Sequence, residues 1–180
     1  MRLRSANLNE FYGLLLSRQA DLIIVYSAPD MVKGLSGDYL ASSDIQPDRL
    51  IPVLRSDLAV TMRMGFVKAE IPIIAYPKDV FFGTIMADRI LPSLGPDSAV
   101  LPKAETALTL AALEMAAAGV AVAWVPESPA RVGIEQGRVA DLSDVLPGCD
   151  LTARAVRLRG TRGQAENIIW RHILALNEAE

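Results

Sequence analysis

The sequence predicts an α/β fold with parallel or mixed sheets arranged in two lobes. Apolar strands alternate with helices along almost the whole chain, in the order β-α-β, then β-α-β-α-β, then β-α. Such alternation is typical of sheets that carry helices on both faces. It is clearest over 106–142, where a helix rich in Ala and Leu ends at Gly119 and a second helix ends near Gly137. Strand ends and helix starts of such a lobe meet at one sheet edge, where small molecules can bind.

The first part of the chain predicts one helix and several strands. Asn7 is expected to cap the helix, with Glu10 completing a capping box. The apolar run 21–26 is typical of a parallel strand that is covered on both faces. Pro52 places its strand at an edge or at a crossover. The elements expected here are strands over 2–5, 21–26 and 49–54, a helix over 8–18, and a weakly structured or edge segment over 35–45.

The remainder of the chain predicts the regular part of the fold. Asp79 is expected to be the N-cap of a helix that begins near residue 80. The Ala-rich composition of 105–118 favours a helix, and Gly119 is expected to end it. The strands expected here are 71–76, 99–101, 120–125, 139–142 and 151–158, and the helices are 80–91, 105–118, 128–135 and 164–179.

These elements predict two lobes that are joined by two crossover strands acting as a hinge. Residues 1–56 and 151–180 are expected to form lobe I, and residues 57–150 form lobe II as an insertion. The chain contains no run of about 18 apolar residues, so no transmembrane helix is expected. The N-terminus lacks the apolar segment of a signal peptide, which predicts a cytoplasmic protein.

The charge and the cysteine content exclude several classes of function. A net charge of −3 argues against nucleic-acid binding by this chain alone, since phosphate neutralisation needs a clustered cationic excess. The basic segment 154–162 fits a strand with one solvated face better than it fits a phosphate patch, and both interpretations stay open. Cys149 is the single cysteine, in an expected turn, so an internal disulfide and a multi-cysteine zinc site are excluded.

Catalytic signatures are missing from the sequence. His172 is the only histidine and lies on the last expected helix, so no serine or cysteine is supplied with a histidine base from another element. No phosphate-binding P-loop and no G-x-G-x-x-G motif occurs. The sequence therefore predicts a binding protein that is not an enzyme and that has no cofactor and no metal.

Two strand-to-helix junctions are the candidate binding positions. The segments 76–82 and 102–106 each combine one lysine with the expected positive end of a helix, an arrangement that suits a carboxylate or a similar anion. The simpler interpretation is that the aromatic residues belong to the core, the lysines are solvated and the threonine only caps a helix. The predicted ligand-binding residues, two of them from lobe I across a cleft, are Tyr26, Ser27, Tyr76, Lys78, Phe81, Phe82, Lys103, Thr106 and Pro126.

Several segments, in order and spacing, give the chain a resemblance to a known family. They read LLSRQADLII (15–24), RLIPV (49–53), IPIIAY (71–76), AAGVAVAWVPE (117–127) and GRVADL (137–142). With these segments the chain resembles the effector-binding domain of LysR-type transcriptional regulators. The resemblance covers nearly the whole sequence.

The resemblance implies a fold like that of type 2 periplasmic binding proteins, with a small effector held between two Rossmann-like lobes. It also implies a homodimer or tetramer in the full-length protein, and DNA contact through an N-terminal winged helix-turn-helix that this sequence does not include. The first strand and helix of lobe I are expected to be missing too. That expectation bears on the dimer and on the completeness of the pocket.

Other functions stay open at this stage. The run YPKDVFFG (76–83) and the segment AWVPE resemble the hypochlorite-responsive group of the family, which implies an oxidant sensor acting through methionine oxidation. A solute-binding protein for transport would share the same fold, and an enzyme on this scaffold is the third alternative. The sequence does not identify the effector, the target genes or the direction of regulation.

Overall fold

A computed structural model of the protein describes residues 8–29, 38–64, 70–95, 98–160 and 163–177. The chain divides into two compact units. Unit 1 comprises Met1–Asp48 with Asp150–Glu180, and unit 2 comprises Arg49–Cys149. The lobe boundaries expected after residues 56 and 150 stay a prediction of where the hinge lies. The strand expected over 2–5 and the Asn7 cap fall outside the described residues.

The described elements alternate between strands and helices, which confirms the α/β class. The strands are β1 Leu22–Ser27, β2 Leu40–Arg55, β3 Glu70–Ala75, β4 Ala99–Glu105, β5 Ala123–Pro126, β6 Val139–Asp141 and β7 Cys149–Leu158. The helices are α1 Leu8–Leu16, α2 Ser56–Met64, α3 Phe81–Ile85, α4 Leu91–Ser93, α5 Thr109–Ala117, α6 Glu127–Glu135 and α7 Gln164–Asn177, and a π-helical turn, Met86–Ile90, joins α3 to α4.

Unit 1 packs a helix on each face of its sheet. Residues from α1 and from alternate positions of the strands form one core cluster, which contains Leu15, Ile23, Val25, Leu40 and Val156. A second cluster joins the α7 residues Trp170 and Ile173 to Ala155 of β7. Adjacent β7 residues point to opposite faces, so both faces of this sheet contribute to a core.

The expectation that β1 is a parallel strand covered on both faces is wrong. β1 pairs antiparallel with β7, from Leu22 opposite Arg157 to Ser27 opposite Thr152. Ile24 keeps 57% of its surface exposed, whereas Ile23 keeps 3%. A continuous apolar run does not reveal strand direction, because that direction depends on a partner more than 120 residues away.

Unit 2 contains β2 paired antiparallel with β5 and with β6. Pro52 lies opposite Trp124 of β5, and its carbonyl accepts a hydrogen bond from the Leu142 backbone N–H at 2.8 Å. Pro52 is therefore not on an edge strand. The crossover alternative fits, since β2 begins in unit 1 and ends in unit 2.

The expected bounds of β4 and α5 need correction. β4 runs to Glu105 instead of ending at Leu101, and α5 begins at Thr109 instead of residue 105. β4 pairs in parallel with β3, and this ladder outweighs the helical propensity of the segment because each paired residue gains backbone hydrogen bonds. The expected end of the helix is confirmed: Gly119 has φ 79° and its N–H donates to the Ala116 carbonyl at 2.9 Å.

Candidate functional site

The carboxyl ends of three strands of unit 2 lie side by side. β3 and β4 are parallel, with Ala75 opposite Glu105, and the Thr106 N–H donates to the Ala75 carbonyl at 3.0 Å. Val122, just before β5, forms a parallel bridge with Ile73 of β3. The carboxyl ends of β3, β4 and β5 therefore point the same way, which is where open α/β sheets bind ligands.

Helices α3, α5 and α6 begin just beyond these strand ends. Their N-cap residues are Val80, Leu108 and Pro126, and none of these three makes a side-chain capping bond. The expectation that Asp79 is the N-cap is therefore wrong, since Val80 occupies that position. A helix start without a side-chain cap presents backbone N–H groups and the positive end of the helix dipole to solvent or to an anion.

Tyr76 is buried at this edge, directly after β3. Its side chain is 5% exposed, and its hydroxyl donates to the Trp124 carbonyl at 2.9 Å. Burial raises the pKa of the Tyr76 phenol above its usual 10.0, and a hydrogen bond with the Thr109 side chain opposes this rise. Thr109 is a residue that the sequence did not single out. Its part in the site depends on where α5 begins, which follows from the pairing of β4.

Phe81 and Phe82 continue the apolar surface from Tyr76. The Phe82 ring centroid lies 5.6 Å from that of Tyr76 and 5.2 Å from that of Phe81. Phe82 is buried and Phe81 is half-buried, so Phe81 is the ring that a ligand at this edge would meet. The core interpretation therefore fits Phe82 better than Phe81.

Gly83 allows the turn that contains Lys78 to pack closely against α3. A Cβ atom at Gly83 would lie 1.9 Å from the Pro77 carbonyl oxygen, a separation that only glycine permits. Lys78 is exposed on this turn, and the Thr84 hydroxyl donates to the Lys78 carbonyl at 3.4 Å. The position of Lys78 is thus set by backbone packing.

Lys103 and Thr106 occupy a different local structure from the one expected. Lys103 lies inside β4, as the extra residue between Pro102 and Ala104 where the register with β3 shifts, so it does not begin a helix. It is exposed. The Thr106 hydroxyl accepts the Leu108 N–H at 3.1 Å, which supports the turn before α5.

The predicted unit 1 residues have partners within unit 1. The Tyr26 hydroxyl donates to Asp48 Oδ2 at 3.1 Å, and the buried Ser27 hydroxyl donates to the Thr152 carbonyl at 3.4 Å. Their role as ligand contacts stays a prediction. Pro126, the remaining member of the predicted set, is buried at the end of β5.

The ranges that the structure describes include the single histidine and the single cysteine of the chain. Within those ranges no group of three His, Cys, Asp or Glu side chains could hold a metal ion. His172 is exposed on α7, and Cys149 is half-buried as the first residue of β7 instead of lying in a turn. None of the described helices is both long and apolar enough to cross a membrane.

Comparison with known proteins identifies the fold. No protein-family model matches the chain, and no curated protein matches it. The regulatory domain of HypT from Salmonella typhimurium in its apo form is 20% identical, with a TM-score of 0.82 over 99% of this chain and 83% of that one. Its bromide-bound form is 20% identical, with a TM-score of 0.78 over 97% and 81%.

A full-length structure extends this comparison. Full-length HypT, a hypochlorite-specific LysR-type transcriptional regulator, is 19% identical, with a TM-score of 0.78. The chain is covered to 99% and spans 59% of that protein. These likenesses show that the chain has the fold of LysR-type regulatory domains, which confirms the expected fold resembling type 2 periplasmic binding proteins.

Proposed function

We propose that this chain is the effector-sensing domain of a LysR-type transcriptional regulator and that it binds a small anion at the edge where β3, β4 and β5 end. The observation that carries the proposal is the match in fold to a regulatory domain over 99% of the chain. The same observation favours regulation over the transport alternative. In this role the chain is a homodimer or tetramer within a full-length protein, which contacts DNA through a separate winged helix-turn-helix domain.

An anion fits this edge because helix starts without side-chain caps present backbone N–H donors there. Helices α5 and α6 begin without side-chain caps, and α3 begins the same way before continuing through the π-helical turn and α4. Lys78 and Lys103 are exposed and add two positive charges. Phe81 supplies an apolar wall. The HypT domain that matches this fold has a bromide-bound form, which supports an anionic ligand.

A titration followed by NMR tests this site. Sodium bromide is added to the 15N-labelled chain, and the backbone amide signals of 78–84 and 106–110 are followed. We expect these signals to move together and saturably. Lys78→Ala, Lys103→Ala and Thr106→Ala should each weaken the binding, by roughly two- to tenfold, since each removes one partly exposed contact to the anion.

The matched control is Arg171→Ala, which removes an exposed cation from α7 in unit 1. It should leave the bromide titration unchanged. If all three site variants bind bromide as the unsubstituted chain does, the ligand site is not at this edge.

Oxidant sensing is the second candidate, and one observation favours it. Met64, at the end of α2, is 82% exposed, whereas Met86 is 5% exposed. An exposed thioether is converted to the sulfoxide more readily than a buried one. Mass spectrometry after treatment with about one equivalent of hypochlorite should find Met64 oxidised before Met86. Oxidation spread evenly over the methionines would remove this candidate.

A further inference from the structure

Two hydrogen bonds that share Trp124 connect the candidate site to a distant segment of unit 2. The Tyr76 hydroxyl donates to the Trp124 carbonyl at 2.9 Å, and the Trp124 indole Nε1–H donates to the Pro147 carbonyl at 2.8 Å. Tyr76 is 5% exposed and Trp124 is fully buried. The Thr109 side chain interacts with the same phenol and opposes the rise in its pKa. One residue, Trp124, thus accepts a bond from the site and donates another bond away from it.

The second of these hydrogen bonds, between Trp124 and Pro147, lies beside the point where the polypeptide leaves unit 2. Pro147 is two residues before Cys149, the last residue of unit 2 and the first of β7. Between them, Gly148 is packed so tightly that a Cβ atom there would lie 2.8 Å from the Leu50 carbonyl oxygen. The segment 147–149 is therefore held between the Trp124 indole and the backbone of β2.

The first of these hydrogen bonds lies at the edge where β3 ends and α5 begins. Tyr76 directly follows β3, and Thr109 is the first residue of α5. A ligand bound at the start of α5 would therefore lie beside the residue that interacts with the Tyr76 phenol. Because the interior is close-packed, a displaced phenol does not move without its partner.

We infer that Tyr76 is a positioning residue that couples occupancy of the candidate site to the segment 147–149 through Trp124. This inference rests on the proposed function for the identity of the site. The coupling acts through two buried hydrogen bonds that share Trp124, from the Tyr76 hydroxyl to the Trp124 carbonyl and from the Trp124 indole to the Pro147 carbonyl.

Tyr76→Phe tests the coupling first without any ligand, because it keeps the ring and removes only the hydroxyl. The indole N–H signals of the two tryptophans are resolved by NMR, and Trp170 of unit 1 serves as the internal control. We expect the Trp124 indole signal to move and the Trp170 signal to stay. Amide exchange at Gly148 and Cys149 should become roughly fivefold faster, as expected for the loss of one buried hydrogen bond.

A second variant distinguishes the coupling from a general loss of stability. Ile90→Val, at a fully buried position of unit 2, removes one methylene and should lower stability without moving the Trp124 indole signal. If Tyr76→Phe leaves both the indole signal and the Gly148 exchange unchanged, or if Ile90→Val changes them as much, the coupling is refuted.

Sodium bromide then separates this inference from the proposed function. In the unsubstituted chain, bromide should move the site amides and the Trp124 indole signal with the same midpoint. At saturating bromide, Tyr76→Phe should show displaced site amides and an undisplaced indole signal. Displaced site amides with an unmoved indole in the unsubstituted chain would overturn the coupling alone. If no site amide moves, the proposed anion site fails, and the ligand-free comparison still decides the coupling.

Discussion

Gly83 shows how a single residue determines the shape of the candidate site. Its α-hydrogen faces the Pro77 carbonyl, and a Cβ atom in that place would lie at 1.9 Å. Gly83→Ala should therefore push α3 away from the turn that carries Lys78. We expect a loss of about 1–3 kcal/mol in the free energy of unfolding, measured with urea, as for other overpacked positions.

Gly13→Ala is the matched control for that substitution. Gly13 lies in the interior of α1 with nothing within 4 Å of a Cβ atom built there. Alanine at this position should raise stability by about 0.5–1 kcal/mol, since glycine is a poor helix former. Similar effects of the two substitutions would mean that the contact at Gly83 is not tight.

Tyr76 makes the stability of the protein depend on alkaline pH. Burial in the folded state raises the pKa of this phenol above its value of 10.0 in the unfolded chain. The phenol therefore stabilises the fold fully below pH 10, and this stabilisation is lost as the pH rises further. Above that pH the unfolded chain holds fewer protons than the folded one, and stability falls by up to about 1.4 kcal/mol per pH unit from this group.

Urea unfolding at pH 9 to 11 measures this effect. Tyr76→Phe should flatten the decline in stability above pH 10. Burial also raises the pKa of Tyr12, so a weaker decline should remain. An unchanged decline in Tyr76→Phe would contradict the assignment.

The sequence predicted the local structure around the candidate residues well where it depends on neighbours along the chain. Tyr76 and Lys78 lie between β3 and α3, and Phe81 begins α3, close to the expected positions, because proline and the change in hydrophobic period are local signals. Lys103 and Thr109 were misplaced or missed. Their positions follow from the bulged pairing of β4 with β3, which no local pattern in 99–109 reveals.

At the level of elements, a mostly buried ion pair attaches α7 to β7 of the same unit. Arg157 Nη1 of β7 lies 3.3 Å from Glu166 Oε1, with side-chain exposures of 16% and 4%, and the guanidinium lies 4.5 Å from the Trp170 ring centroid. Glu166→Leu should lower the free energy of unfolding by about 2–3 kcal/mol, because it leaves the arginine buried without its charged partner.

A double-mutant cycle checks this interpretation. Arg157→Met combined with Glu166→Leu should recover most of the loss in urea unfolding, since two apolar side chains leave no unpaired charge. Additive losses would show that the two residues contribute separately through packing.

Helix α2 shows why some elements are not predicted at all. Its sequence, SDLAVTMRM, has a weak apolar stripe with only Ala59 buried. Long-range contacts stabilise it: the Ser56 hydroxyl donates to the Gly137 carbonyl at 2.7 Å, and Arg63 forms a salt bridge with Asp144 at 2.8 Å. Such partners lie about 80 residues away and leave no periodic signal. In contrast, α5 and α6 carry end signals in Gly119 and Gly137, and both were expected.

For the whole molecule, the alternation of strands and helices was enough to predict the α/β class, but not every strand direction. β1 is the example: its apolar run fits a parallel or an antiparallel strand, and only its pairing with β7 decides. The discontinuous first unit was foreseeable, because strand and helix pieces at both ends of the chain lacked partners nearby.

The net charge of −3 predicts the behaviour of the isolated chain with DNA. We expect no binding to a fluorescein-labelled 30-bp duplex in anisotropy titrations at about 50 mM salt, where electrostatic association is strong. Saturable, salt-sensitive binding by the 180-residue chain would instead assign the basic segment 154–162 to phosphate contact.

We propose that an anion binds where three strand ends meet three helix starts in unit 2. The most direct measurement is an anomalous difference map from crystals of this chain soaked in sodium bromide. We expect a bromide peak within hydrogen-bonding distance of the backbone N–H groups that begin α3, α5 or α6, and a weaker peak in Lys78→Ala. Bromide peaks found only elsewhere on the molecule would contradict it.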